Sequence, residues 1–156
     1  MSKLFEPYKL GPLTLRNRIA MAPMTRSRSP DGIASDLTAR YYRQRAAAGL
    51  IVTEGTPISR TAEGFLFIPG IYTDSQVAGW RKVTDAVHAK GGRIVVQLMH
   101  TGRVAHSDNL PAGAEVLSSS SETCPGQMWT DTQGNQPHTP PRAMTEVPPH
   151  LGQLMS

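Results

Sequence analysis

The chain has 156 residues, 38% of them hydrophobic, and carries 16 Lys and Arg against 12 Asp and Glu. That length suits one domain with an adequate core, and the scattered basic residues, with no run of four, argue against a nucleic-acid footprint. A lone cysteine, Cys124, excludes an internal disulfide and a cysteine-built metal site. The start MSKLFEPYKL has no basic segment leading into an apolar core, and the longest apolar stretch, AAAGLIV, is too short for a bilayer. The expectation is a soluble, cytoplasmic protein with no metal, nucleic-acid or membrane partner.

Elements follow in chain order. Leu10-Gly11-Pro12-Leu13 marks a turn between short extended pieces, so residues 8–15 are expected to form a hairpin. Residues 18–24, RIAMAPM, read as a first buried strand, with Pro23 marking its exit because proline forfeits a ladder bond. Ser35 is a candidate cap for a helix running to about Ala48, with Leu37, Tyr41 and Ala48 on one face and Gly49 as its stop. Residues 50–54, LIVTE, form a second strand, and the long loop over residues 55–71 carries Phe65 and Phe67. Loops of that length in compact domains are more often functional than idle.

Thr73 and Gln76 make a Thr-x-x-Gln capping box, after which Val77, Trp80, Val83 and Val87 recur at helical spacing up to Gly91-Gly92. A third strand starts at once. Ile94, Val95, Val96, Leu98 and Met99 read as a strand buried on both faces, interrupted by Gln97. An amide buried there needs partners, because leaving it unpaired costs roughly 1–3 kcal/mol. Either the fold or a ligand supplies them.

The order strand, helix, strand, helix, strand predicts right-handed βαβ units and a parallel sheet. No G-x-G-x-x-G follows any strand, which counts against a dinucleotide-type Rossmann domain. From Thr101 onward periodicity fades into a segment rich in Gly, Pro and Ser, and Pro137, Pro140, Pro141, Pro148 and Pro149 argue against a continuous regular element. Residues 101–156 are therefore expected to be a lid-like loop region with a divergent tail, its pattern lost after about Val147.

The segments LFEPYKLG, RNRIAMAPMTR, YYRQRAAAGLIVTEGTPIS, PGIYTDSQVAGW, VHAKGGRIVVQLMHTGR and TPPRAMTE, in that order, resemble the old yellow enzyme family. These are FMN-dependent ene-reductases on a (β/α)8 TIM barrel. The resemblance implies an α/β fold comprising the N-terminal part of such a barrel: a capping hairpin and the first three parallel strands with their helices. A barrel of this kind usually needs about 250 residues. The family's His-x-x-Asn or His-x-x-His pair, its proton-donating tyrosine and its flavin-phosphate loops belong to later strands, so no catalytic residue is assigned here. His106-Ser107-Asp108-Asn109 has the first of those spacings in a loop after the third strand, and reads as a chance match.

The resemblance also implies the cofactors, FMN with NADPH or NADH as hydride donor, and the substrates, small activated alkenes. It assigns flavin contacts to Pro23, Met24 and Thr25 after the first strand, Gly55 after the second, and Gln97 on the third. The Thr25 hydroxyl matches a donor to flavin O4, where it would stabilise charge as the flavin accepts hydride. Gln97 offers both complements of the pyrimidine edge, since N3–H donates and O2 accepts. The competing readings are a threonine satisfying its own turn, a turn glycine and a core amide. Phe65 stands where many relatives carry a substrate-pocket tyrosine, and Met99 where many carry tryptophan, which softens that wall. His100 and Arg103 read as turn and surface residues, Arg26 and Arg28 as a solvated loop, Trp80 as core and Trp129 as a lid-loop residue.

Three functions remain open at this point. The chain is the ring-binding portion of an ene-reductase, inactive alone and either truncated or completed by another chain; or a non-catalytic remnant; or a basic binding module. Open sheet edges favour self-association in either of the first two.

Overall fold

The computed structural model describes residues 2–145. The chain forms two compact units, Met1–Thr56 with Phe67–Leu98, and Pro57–Leu66 with Met99–Ser156.

In the first unit, β1 (Tyr8–Leu10) and β2 (Leu13–Leu15) pair antiparallel as the expected hairpin. Gly11 takes the left-handed φ of 55° that the tight turn needs. A three-stranded sheet follows in the order β3 (Ala20–Met21), β4 (Leu50–Pro57), β5 (Ile94–Met99). β3 and β4 are parallel, with Ala20 beside Leu50 and Met21 beside Ile51. On the other side of β4, Ile51 N–H donates to Arg93 O at 2.8 Å, and further along Gln97 N–H donates to Thr53 Oγ1 at 3.0 Å. Partners on both strands advance together, as they do when strands run in one direction.

Helices α1 (Asp36–Arg43) and α2 (Asp74–His88) pack on each other. Both start at reciprocal capping boxes, Ser35 with Thr38 and Thr73 with Gln76. Their shared core holds Ala34, Tyr42, Ala46, Ile51, Trp80, Val83 and Val87. Fully burying an aliphatic side chain such as Ile51 or Val83 contributes about 1.5–3 kcal/mol. Trp80 spends its polar atom within the core as well, Nε1 donating to Gly70 O at 3.0 Å. Gly79 lets α2 approach the backbone, since a Cβ there would lie 2.6 Å from Ala34 O.

Four expectations need correction. α1 ends at Arg43, not near Ala48: Asn17 Nδ2 captures Ala47 O at 2.9 Å, and the chain tightens into i→i−3 turns such as Ala46 N–H to Arg43 O. Its buried residues are Thr38, Ala39 and Tyr42, while Leu37 is 60% exposed. β3 spans only two residues, neither of them buried, because it is an edge strand that ends ahead of Pro23. β5 is not buried on both faces: Val95, Val96 and Leu98 are 42%, 39% and 44% exposed, because among the described residues it too has a sheet neighbour on one side alone. β4, in contrast, extends beyond the expected 50–54 to Pro57 and is almost wholly buried as the central strand.

The second unit has its own small core of Ala105, Leu110 and Val116. The stretch expected to be irregular carries four short strands among the described residues. β6 (Leu117–Ser118) pairs in parallel with β9 (Arg142–Ala143), and β7 (Gln127–Thr130) pairs antiparallel with β8 (Gly134–Pro137). Thr130 builds the hairpin end, its Oγ1 donating to Gly134 O and accepting Gln133 N–H, with Gly134 at a φ of 70°. Pro137 is tolerated because it closes an edge strand. Trp129 sits on strand β7, not in a loop, and is 62% exposed. The expected loss of pattern after Val147 lies outside the described residues. Among the described residues no helix is long and apolar enough to cross a membrane, and no cluster of His, Cys, Asp and Glu could hold a metal ion.

Candidate functional site

The five expected flavin contacts all fall in the first unit, on or just after three adjacent strands. Pro23, Met24 and Thr25 follow β3 directly and are exposed. Gly55 is buried in the C-terminal half of β4, inside the strand, so a turn does not explain it. Gln97 lies in the C-terminal half of β5 and is exposed, which removes the reading of a buried core amide. Among the described residues, neither the Thr25 hydroxyl nor the Gln97 carboxamide has a hydrogen-bond partner within the protein.

The hydrogen bonds around β4 set how close these residues come. β3 and β4 pair at a thirty-residue offset that ends with Met21 beside Ile51, and Thr25 follows in the segment after the strand. Arg26 N–H donates to Glu54 Oε2 at 3.0 Å, so the residue after Thr25 is tied to the residue before Gly55. On the other flank, Gln97 is tied to Thr53 by its own N–H.

Sequence reasoning missed Glu54, whose one available signal was a carboxylate at the end of an apolar run. It is 2% exposed, and its N–H donates to Tyr42 Oη at 2.8 Å, which links β4 to α1. Burial raises its pKa above the usual carboxylate range, against the Arg26 N–H, the Arg26 charge and the Tyr42 hydroxyl, which pull it down. Burial also raises the Tyr42 phenol well above its ordinary value. Arg26 is exposed, as expected for a solvated loop, and its guanidinium also stacks 5.1 Å from the Tyr41 ring centroid, with Arg45 at 3.8 Å from the same ring. A cavity of about 320 Å³ opens here, lined by Arg26, Arg28, Arg40, Tyr41 and Glu54 among others. A second groove of about 520 Å³ is lined by Arg16, Arg43 and Lys90 and shares Arg40 with the first cavity.

The remaining candidates belong to the second unit. Phe65 is 40% exposed, and Met99, the last residue of β5, is half-buried. His100 Nδ1 accepts Gly102 N–H at 3.0 Å, and Arg103 pairs with Glu122 at 3.3 Å, turn and surface roles as expected. In the His-x-x-Asn spacing, Ser107–Asn109 forms a 3-10 turn capped by His106. Asn109 Nδ2 there donates to Gly64 O and Trp129 O, so it is spent on holding backbone.

The profile of the NADH:flavin oxidoreductase / NADH oxidase family matches residues 3–147. A flavin oxidoreductase, hxnT, of Emericella nidulans is 43% identical over 93% of this chain and 38% of its own length. The 12-oxophytodienoate reductase 7 of Oryza sativa subsp. japonica is 39% identical over 93% of this chain and again 38% of its own. Among solved structures, morphinone reductase in complex with tetrahydroNAD superposes with a TM-score of 0.87 at 47% identity, covering 92% of this chain and 41% of that one. An old yellow enzyme homologue from Zymomonas mobilis gives 0.85 at 41% identity, covering 92% and 40%. The chain therefore spans about two-fifths of the length of these relatives. FMN, with NADH or NADPH, is the cofactor set of this group. The chain belongs to the NADH:flavin oxidoreductase / NADH oxidase family, among the old yellow enzymes.

Proposed function

We propose that this chain is the flavin-ring-binding portion of an FMN-dependent oxidoreductase that reduces activated alkenes with hydride drawn from NADH or NADPH. The observation that supports this reading is that Thr25 follows β3 while Gly55 and Gln97 lie in the C-terminal halves of the adjacent strands β4 and β5, with no hydrogen-bond partner for the Thr25 hydroxyl or the Gln97 carboxamide among the described residues. When bound, FMN supplies hydride transfer. Thr25 would donate to a ring carbonyl, Gln97 would donate and accept along the pyrimidine edge, and Gly55 would admit the ring close to backbone. Pro23 and Met24 would line its edge. Phe65 and Met99 are proposed as substrate-side residues, without a tyrosine hydroxyl or a tryptophan wall.

Ring contacts alone hold flavin weakly. Three or four hydrogen bonds at about 0.5–1.5 kcal/mol each give roughly 4 kcal/mol, a millimolar dissociation constant before ordering costs. Orientation of flavin and substrate can be worth about 7–11 kcal/mol of barrier, and the resemblance assigns those anchors to later strands. The isolated chain is therefore expected to be colourless and inactive, and to need a complementing polypeptide bearing the remaining strands. The exposed β5 edge is the surface such a chain, or a second copy, would cover. A single free cysteine, Cys124, suits a reducing, cytoplasmic setting.

The test is NADPH oxidation with a maleimide and excess FMN, with and without that complementing polypeptide. Yellow colour and turnover that need both parts support the reading. Turnover by the 156-residue chain alone, abolished by Gln97→Ala, would overturn the proposed division of the site.

A further inference from the structure

Glu54 is a carboxyl in a costly place. It is 2% exposed, and among the described residues it has no ion pair, since the Arg26 guanidinium turns instead to the Tyr41 ring. Its oxygen accepts one backbone N–H, that of Arg26. The loop it grips is strained: Ser27 holds a left-handed φ of 50°, a conformation that persists in a non-glycine residue when its surroundings over-determine it. Those surroundings are identifiable. Arg26 N–H is fixed by Glu54 on one side of Ser27, and Ser29 N–H is fixed by Phe67 O at 2.8 Å on the other. The neighbouring residue on β4, Thr53, does the same for β5 by accepting Gln97 N–H.

We propose that Glu54 is a positioning residue: its carboxyl holds the Arg26 N–H and so sets the backbone that carries Thr25, its own N–H is held to α1 by Tyr42, and Thr53 sets Gln97 on the opposite flank. This rests on the flavin reading for its purpose, but the positioning itself is a property of the protein alone. Glu54 offers its oxygen to a backbone N–H and touches no reacting atom. The charged and titratable groups around it are Arg26 and Arg28 from the loop and Arg40, Tyr41 and Tyr42 from α1.

Amide hydrogen exchange on the full 156-residue chain, read residue by residue by NMR, tests this. Glu54→Leu keeps the bulk and removes the acceptor, so Arg26 N–H should exchange about ten-fold faster while Gln97 N–H is unchanged. Thr53→Val should show the reverse pattern. Glu54→Gln, which retains an acceptor, should restore Arg26 protection and abolish the pH titration of the Arg26 amide shift. Unchanged Arg26 protection in Glu54→Leu would overturn the positioning role. If that variant does not fold, an Arg26 titration that persists in Glu54→Gln overturns it equally. Millimolar FMN added to the unsubstituted chain gives the separate arm: shifts at Thr25 and Gln97 that shrink in Glu54→Leu support the purpose, and no shift at either would sink the flavin reading while leaving the exchange result intact.

Discussion

Tyr42 Oη accepts the backbone N–H of Glu54 at 2.8 Å, joining the last turn of α1 to the central strand where both are buried. The phenol stays neutral at any working pH, because burial raises its pKa well above the ordinary value. Tyr42→Phe keeps the ring against Trp80 and leaves the Glu54 N–H without its acceptor. The expected cost is about 1–3 kcal/mol, read as a lower urea midpoint with unchanged slope. A midpoint equal to that of the unsubstituted chain would mean the bond is not made.

The pH dependence of stability should carry the Glu54 signature. Its pKa is raised in the folded state, so between the ordinary carboxylate value and the folded value the native chain binds more protons than the unfolded one. Stability from this group is therefore complete below the ordinary value and is lost as pH rises through the folded pKa. Glu54→Gln should flatten that decline and be at least as stable as the unsubstituted chain at neutral pH. Denaturant midpoints measured across the acidic to neutral range check it. A variant less stable at neutral than at acidic pH by the same margin as the parent would contradict the assignment.

Gly79 sits inside α2, where alanine would ordinarily gain about 1 kcal/mol of helix propensity. Here a Cβ would lie 2.6 Å from Ala34 O and 2.9 Å from Ile33 Cγ2, and overpacking of a tight site costs about 1–3 kcal/mol. The clash is the larger effect. Gly79→Ala should lower the thermal midpoint, and a rise would show that the two segments separate freely.

Val96 and Leu98 lie half-exposed on an edge strand that has no partner on its outer side among the described residues. Such edges pair with other chains, and charge is the usual defence. Sedimentation velocity should show concentration-dependent self-association, reduced by Val96→Lys with Leu98→Lys. Equal association in the double variant would place the contact elsewhere.

How much was legible in the sequence varied with how local the determinant was. Ser35 and Thr73 start their helices at the expected residues because a capping box is written within four positions. The end of α1 was not legible, since Asn17, distant in sequence, takes the Ala47 carbonyl. The alternation of strands and helices was plain, but burial of β5 was not: an apolar run says what a strand could bury, and its place at the sheet edge decides what it does bury. The β7–β8 hairpin was hidden for a different reason, because its stability comes from Thr130 and Gly134 and not from an apolar alternation. Within the candidate site, the side chains offered to a ligand could be named from motifs. The straps behind them, Glu54 to Arg26 and Thr53 to Gln97, needed the three strands to be brought together first.

The most direct test of the central claim is where the flavin ring rests. Intermolecular NOEs between the ring protons of millimolar FMN and the isotope-labelled chain would locate it without requiring turnover. The expected result is contact with Thr25, Gly55 and Gln97, lost in Gln97→Ala. Contacts confined to the basic groove of Arg16, Arg43 and Lys90 would show that the chain merely attracts the phosphate and would contradict the ring-binding role.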